Sequence, residues 1–201
     1  FNHSAVATLL AGVFEHHDRT RFETIAVSFG PDDATPMRRR LEIGFELFID
    51  VRGKSDEETA ALLQDMQADI AVDLMGYTGQ CRSGIFARRG ASLQVNYLGF
   101  PGTMGAPYID YIIADSTVIP EDQQVQYSEH VAYLPHCFLP ADRARARSQK
   151  VPSRLEAGLP DRGFVFASFN NSYKFSPSMF DIWMRLLRTV EGSVLWLPRN
   201  N

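Results

Sequence analysis

The sequence lacks most of the features by which a function is usually read. It has two cysteines, Cys81 and Cys137, far apart and without metal-type spacing. A disulfide framework and a zinc site are therefore not expected, and free thiols fit a cytoplasmic protein. No apolar run reaches the roughly 18 residues of a membrane-spanning helix, so no membrane partner is expected. No basic stretch followed by an apolar segment opens the chain, so no secretory signal is expected. Positive charge is not in excess: 20 Lys and Arg stand against 24 Asp and Glu, for a net charge of −4. A nucleic-acid partner is not expected at that balance. The one basic cluster, Arg38–Arg40, lies beside Glu42 on an expected helix and reads as a solvated face. The G-x-G-x-x-G fingerprint, the Walker A loop and the G-x-S-x-G elbow are all missing. No Asp-x-Asp stands near a strand end, which weakens any reading that needs a divalent metal on a diphosphate.

What is present is a 45% hydrophobic chain of 201 residues, enough for one core or for one core and part of a second. Val6, Leu9, Leu10, Val13 and Phe14 recur at helical spacing within 4–17, with Ser4 as a candidate cap. Strands are predicted at 22–29, 47–51, 70–75, 93–98, 108–114 and 130–134. Helices are predicted from Pro36 to about Glu46, after the capping box Ser55–Glu58, and around 83–89, with a shorter helical turn at 120–126. This alternation predicts a Rossmann-like parallel sheet with flanking helices, an α/β fold. Residues 137–161 carry four arginines and three prolines and little apolar periodicity, as a domain crossing would. A new strand–loop–helix–strand unit then begins at Phe164. The chain opens in front of a helix and closes on a strand, so a piece of a longer protein is expected.

In parallel sheets ligands gather outside the carboxyl ends of the strands. The loops to watch are 30–36, 76–82, 99–107 and 170–174. The last follows the apolar run Phe164–Phe169 and precedes Ser176, a candidate N-cap, and Pro177 at the first helical position. Lys174 thus sits near a helix N-terminus, where an ammonium and backbone N–H groups together suit a phosphate; a solvated loop lysine is the alternative. Gly99–Ala106 carries three glycines in eight residues, which permits close backbone approach to a ligand or simply a long turn. His3 stands just ahead of the first helix, where a neutral imidazole can act as a base or be merely solvated. His16 and His17 point in different directions on a helix, and His130 and His136 lie too far apart for a helical ligand pair. Asp69 and Asp73 share one strand face by spacing.

Taken together, FNHS (1–4), SFGPDD (28–33), DLMGYTG (73–79), QVNYLGFPGTMGAPYIDYIIAD (94–115), QYSEHVAYLPHCF (126–138), GLPDRGFVFASFNNSYKFSP (158–177) and SVLWL (193–197) resemble the catalytic region of O-linked N-acetylglucosamine transferases. LGFPGTMG and FNNSYK are its most specific segments. The resemblance implies a GT-B architecture: 1–135 as a first Rossmann-like domain lacking its opening strand, 136–163 as the crossing, and 164–201 as the start of the nucleotide-sugar domain. It implies inverting transfer of GlcNAc from UDP-GlcNAc to Ser/Thr hydroxyls of protein acceptors, with no metal or other cofactor. Tetratricopeptide repeats in the parent chain are part of what it implies. His3 matches the family's active-site histidine and Lys174 the lysine on the UDP diphosphate. Asn171, Tyr173, Gly102, Thr103 and Gly105 fall at donor- or cleft-lining positions. Asp69, where some members have a second histidine, and Tyr77 are implied as orienting groups. The fragment is expected to be inactive by itself. A non-catalytic sugar- or peptide-binding module, or a GT-B transferase for another nucleotide sugar, is the alternative.

Overall fold

The computed structural model describes residues 4–145 and 148–198. Two compact units divide at Arg145/Ala146, within the segment expected to be the crossing. No helix among the described residues is long and apolar enough to cross a membrane.

The first unit alternates strands and helices. Helix α1 (Ala5–Glu15) starts where the Ser4 hydroxyl accepts the Ala7 N–H, 3.2 Å away. Its buried Ala7 and Ala11 meet Leu41 of α2 (Pro36–Gly44), with Phe14 and Phe48 packed around them. Strands β1 (Ile25–Ser28) and β2 (Leu47–Asp50) pair in parallel, Ile25 opposite Leu47. Helix α3 (Asp56–Asp65) has the complete capping box: the Ser55 hydroxyl accepts the Glu58 N–H, and the Glu58 carboxylate accepts the Ser55 N–H. Strand β3 (Ile70–Asp73), helix α4 (Ser83–Ala87), and strands β4 (Leu93–Tyr97), β5 (Tyr111–Ala114) and β6 (His130–Tyr133) follow. The four strands form one parallel sheet in the order β3-β4-β5-β6. Among the described residues no ladder joins β1 to β3.

The parallel α/β fold expected of the periodicity is therefore present, with strands shorter than the apolar runs that encode them. The run 22–29 contributes only Ile25–Ser28 to a strand, and 108–114 only Tyr111–Ala114; ahead of β5 the Asp110 backbone still bonds to Gln94 and His130, while the Tyr108 carbonyl is held by Arg89 and Gln94. The basic cluster is a correction. Arg38 is only 3% exposed: its guanidinium donates to the Ser28 hydroxyl at 2.8 Å and to Glu42, and stacks over Phe48. Arg40 bridges Glu15 and Asp142. The spacing of Arg38–Arg40 is indeed helical, but β1 and β2 lie against one face of α2 and desolvate it.

The second unit has β7 (Val165–Ala167), a 3-10 turn (Ser172–Lys174), α5 (Pro177–Thr189) and β8 (Val194–Trp196), with β7 and β8 parallel. A cavity of about 260 Å³ lies among Phe166, Trp183, Leu186, Leu187 and Leu195.

Two predictions concern stability. Ile112 is 2% exposed and packs with Ala114 and Ile119. Ile112→Ala is expected to lower unfolding free energy by about 2–5 kcal/mol, read from urea titration. Asp115, at the end of β5, accepts N–H bonds from Phe138, Val118 and Thr117, and these hold its carboxyl below the usual range. A carboxyl lowered in the folded state stabilises fully above its unfolded value, about pH 4. That contribution is lost as pH falls through the lower folded value. Urea midpoints of the wild type are expected to drop over this acidic window more than those of Asp115→Asn.

Candidate active site

At the carboxyl end of the four-stranded sheet two loops meet. The first leaves β3. Asp73 is 5% exposed, and one of its carboxylate oxygens accepts the N–H groups of Met75 and Gly76 at 2.9 and 3.0 Å. The turn this imposes puts Gly76 at φ +53° with its Cα against the Phe100 side chain. The second loop, 98–110, leaves β4 and reaches β5 without a helix. It passes so close to the first that a Cβ on Gly99 would collide with the Leu74 carbonyl. The rings of Tyr77 and Phe100 meet edge-on, their centroids 5.8 Å apart. Burial, then a hydrogen bond with Tyr108, pushes the Tyr77 hydroxyl pKa up.

Side chains outside the second loop hold its shape. The Asn96 amide donates to the carbonyls of Phe100 and Gly102 at 2.9 and 3.2 Å. Glu129, 4% exposed, accepts the Met104 N–H at 2.6 Å and the Thr103 hydroxyl at 2.7 Å. Gln94 donates to the carbonyls of Phe86 and Tyr108. Of the residues expected from sequence, Tyr77, Gly102, Thr103 and Gly105 thus share one end of the sheet. Asn96 and Glu129 were not singled out for the site, and Asp73 only as sharing a strand face with Asp69, although all three lie within the family-like segments.

Asp69 is elsewhere. It precedes β3 at the amino end of the sheet, beside an open cavity of about 550 Å³ lined by Gln64, Gln67, Arg89 and Ser92. At the other end of the same strand it is Asp73 whose carboxylate holds the backbone of the carboxyl-end loop.

In the second unit Asn171, Tyr173 and Lys174 occupy the loop between β7 and α5. The Asn171 carbonyl accepts the Lys174 N–H at 3.0 Å, closing the 3-10 turn. Ser176 then caps α5, its hydroxyl accepting the Met179 N–H, with Pro177 in the first turn. Lys174 is exposed, 6.0 Å from the Tyr173 ring centre, and has no carboxylate within ion-pair distance among the described residues. His3 lies outside the described residues. Among the described residues no group of three or more His, Cys, Asp or Glu side chains is placed to hold a metal ion.

The sequence model of glycosyl transferase family 41 matches residues 1–149 and 143–201. The chain is similar to a probable UDP-N-acetylglucosamine–peptide N-acetylglucosaminyltransferase, SEC, of Arabidopsis thaliana, at 37% identity over 99% of this chain and 21% of that protein. It is similar to SPINDLY of the same plant, named as a probable enzyme of the same type, at 32% identity over 97% of this chain and 21% of that one. Among solved structures it resembles a mutant of Thermobaculum terrenum O-GlcNAc transferase, with a TM-score of 0.84, 28% identity, and 97% of this chain and 36% of that one covered. The chain spans about a fifth of the length of these curated relatives, 21% in each case.

The close approach of the two loops makes a direct prediction. Gly99→Ala is expected to destabilise the first unit by about 1–3 kcal/mol or more, since the obstacle is backbone and not a mobile side chain. A urea midpoint equal to that of the wild type would contradict the geometry.

Proposed function

The chain belongs to glycosyl transferase family 41, and from that membership we propose that it is part of an inverting enzyme that moves GlcNAc from UDP-GlcNAc to Ser or Thr hydroxyls of proteins. The observation that carries the reading is Lys174: an exposed ammonium, unpaired among the described residues, on the turn that leads into the N-terminus of a 13-residue helix. In transfer, the acceptor oxygen bonds to C1 of the sugar on the face opposite the leaving group. The bond from C1 to the β-phosphate oxygen breaks, and UDP departs with the electron pair. The hydroxyl proton passes to a base, for which His3 is proposed. Negative charge grows on the β-phosphate as the bond breaks, so a fixed cation and a helix N-terminus stabilise the transition state more than the bound donor. Lys174 with α5 supplies that stabilisation without a divalent ion, and metal independence is part of the proposal. Asn171 and Tyr173 shape the same donor loop, and the loop of Gly102, Thr103 and Gly105 lines the sugar and acceptor side.

Because the chain covers about a fifth of its curated relatives, 21%, turnover is proposed to need more chain than these 201 residues. A cytoplasmic location and tetratricopeptide repeats in the same polypeptide belong to the same reading.

The test uses the protein expressed from its full reading frame. UDP release and peptide glycosylation from UDP-GlcNAc are measured with and without EDTA. Lys174→Ala is expected to lower kcat by about 10²–10³-fold, the effect of removing one preorganised donor, and EDTA to change nothing. Full activity in Lys174→Ala sinks the mechanism. UDP release from another sugar nucleotide alone reassigns the donor, and binding without turnover makes the protein a binding module.

A further inference from the structure

We propose that Glu129 is a positioning residue for the glycine-rich loop, fixing through Thr103 the turn Gly102–Gly105 that the transfer reaction uses; the proposal rests on the function proposed above. Glu129 stands immediately before β6, 26 residues beyond Thr103, and is 4% exposed. Its two oxygens are divided between two donors of the loop. Oε1 accepts the Met104 N–H at 2.6 Å, and Oε2 accepts the Thr103 hydroxyl at 2.7 Å. The Thr103 oxygen, having given its proton to Glu129, accepts the N–H groups of Gly105 at 3.0 Å and Ser128 at 3.3 Å. The Ser128 hydroxyl lies a further 3.2 Å from that oxygen; one donor and two lone pairs are all that a hydroxyl has, so this network is saturated.

The saturation has a direction. Glu129 must be an acceptor at both oxygens for Thr103 to keep both N–H bonds. Gly105 sits at φ +58°, a conformation that its N–H bond to Thr103 helps to hold. Among the described residues, no carbonyl or side chain accepts the N–H groups of Gly102 and Thr103, which lie on the same turn. The clamp therefore aims two backbone donors while leaving them unused. That is preorganisation of a binding surface, the property that catalytic loops need. Tyr127, two residues before Glu129, reaches the Pro101 carbonyl at 3.4 Å and holds the other side of the loop.

Glu129→Gln is the informative variant because it keeps size and shape. Its amide nitrogen brings a donor to a threonine oxygen whose lone pairs are already used, so the network must break at one point. The full-length protein is examined in two ways. Hydrogen exchange at the Met104 and Gly105 amides is expected to accelerate about tenfold, the effect of losing one such bond's worth of stability. Steady-state assays with UDP-GlcNAc and peptide are expected to show a ratio of hydrolysis to transfer raised about threefold or more, as a loosened loop admits water in place of the acceptor. That ratio does not depend on how much enzyme is folded, so a purely structural role for Glu129 would leave it unmoved. Thr103→Val breaks the same network and serves if Glu129→Gln does not fold. Wild-type turnover with an unchanged ratio in the variant overturns the positioning role alone, as does unchanged exchange at Met104 and Gly105. Absence of any wild-type turnover overturns the functional reading and this proposal with it, whatever the exchange shows.

Discussion

A parallel connection made without a helix is the constraint on which the first unit depends. Adjacent parallel strands cannot be joined by a tight turn, and the crossover usually contains a helix that satisfies its own backbone. The segment from β4 to β5 has no such helix. Its N–H and C=O groups must be satisfied from outside, and the partners come from β4 itself and from Glu129. This accounts for the composition of β4. A strand in the middle of a parallel sheet is ordinarily Val, Ile and Leu throughout. Here Gln94 and Asn96 are both fully buried: the Asn96 amide holds the loop carbonyls of Phe100 and Gly102, and the Gln94 amide ties the loop carbonyl of Tyr108 to that of Phe86 in α4. Gln94 Oε1 and Asn96 Oδ1 are buried without a partner among the described residues. Each such oxygen costs about 1–3 kcal/mol. The sheet bears that cost, and at Asn96, on the carboxyl side, the glycine-rich loop gains one defined shape.

The second unit solves a different problem with the same architecture. There the loop after the strand is short and exposed, its 3-10 turn closed by the Lys174 and Phe175 N–H groups on the Asn171 and Ser172 carbonyls and followed by a serine cap. In the first unit, by contrast, several carboxylates are paired with arginines. Glu15 and Asp142 are taken up by Arg40, Asp56 by Arg82, and Asp110 by Arg89. Such pairs lower the carboxyl pKa values of Glu15, Asp110 and Asp142, with the arginine hydrogen bond the largest cause in each case. Among the described residues Lys174 has no such partner. An unpaired cation beside a helix N-terminus is a field without an anion, and it is solvated until one arrives.

Much of this was legible in the sequence because it is local. The caps at Ser4, Ser55 and Ser176, the proline starts of α2 and α5, and the order of strands and helices all follow from residues three or four apart. The loop of Lys174 was readable for the same reason. What escaped is long-range. Arg38 looked solvated because its burial is set by β1 and β2, not by its own helix. Glu129 carried no local signal, since its partners lie 25 and 26 residues earlier. Gln94 and Asn96 read only as polar interruptions of a strand until the loop they hold is in view.

Asp69 and Asp73 show where spacing misleads. Four residues apart on a strand, they fall on one face, and on a helix that spacing would bring them together. On a strand each residue advances about 3.3 Å, so the two carboxylates are separated by about 13 Å along the sheet. A parallel sheet then sorts them by end. Every strand of β3–β6 runs the same way, so all carboxyl-end loops lie on one side and all amino-end turns on the other. Asp69, ahead of β3, belongs to the amino side with Gln67 and Ser92. Asp73, last in β3, belongs to the side of Asn96, its register partner, and of the glycine-rich loop. The face is common to both residues, but only Asp73 is at the end where the loops meet, and it spends its carboxylate on shaping the backbone there.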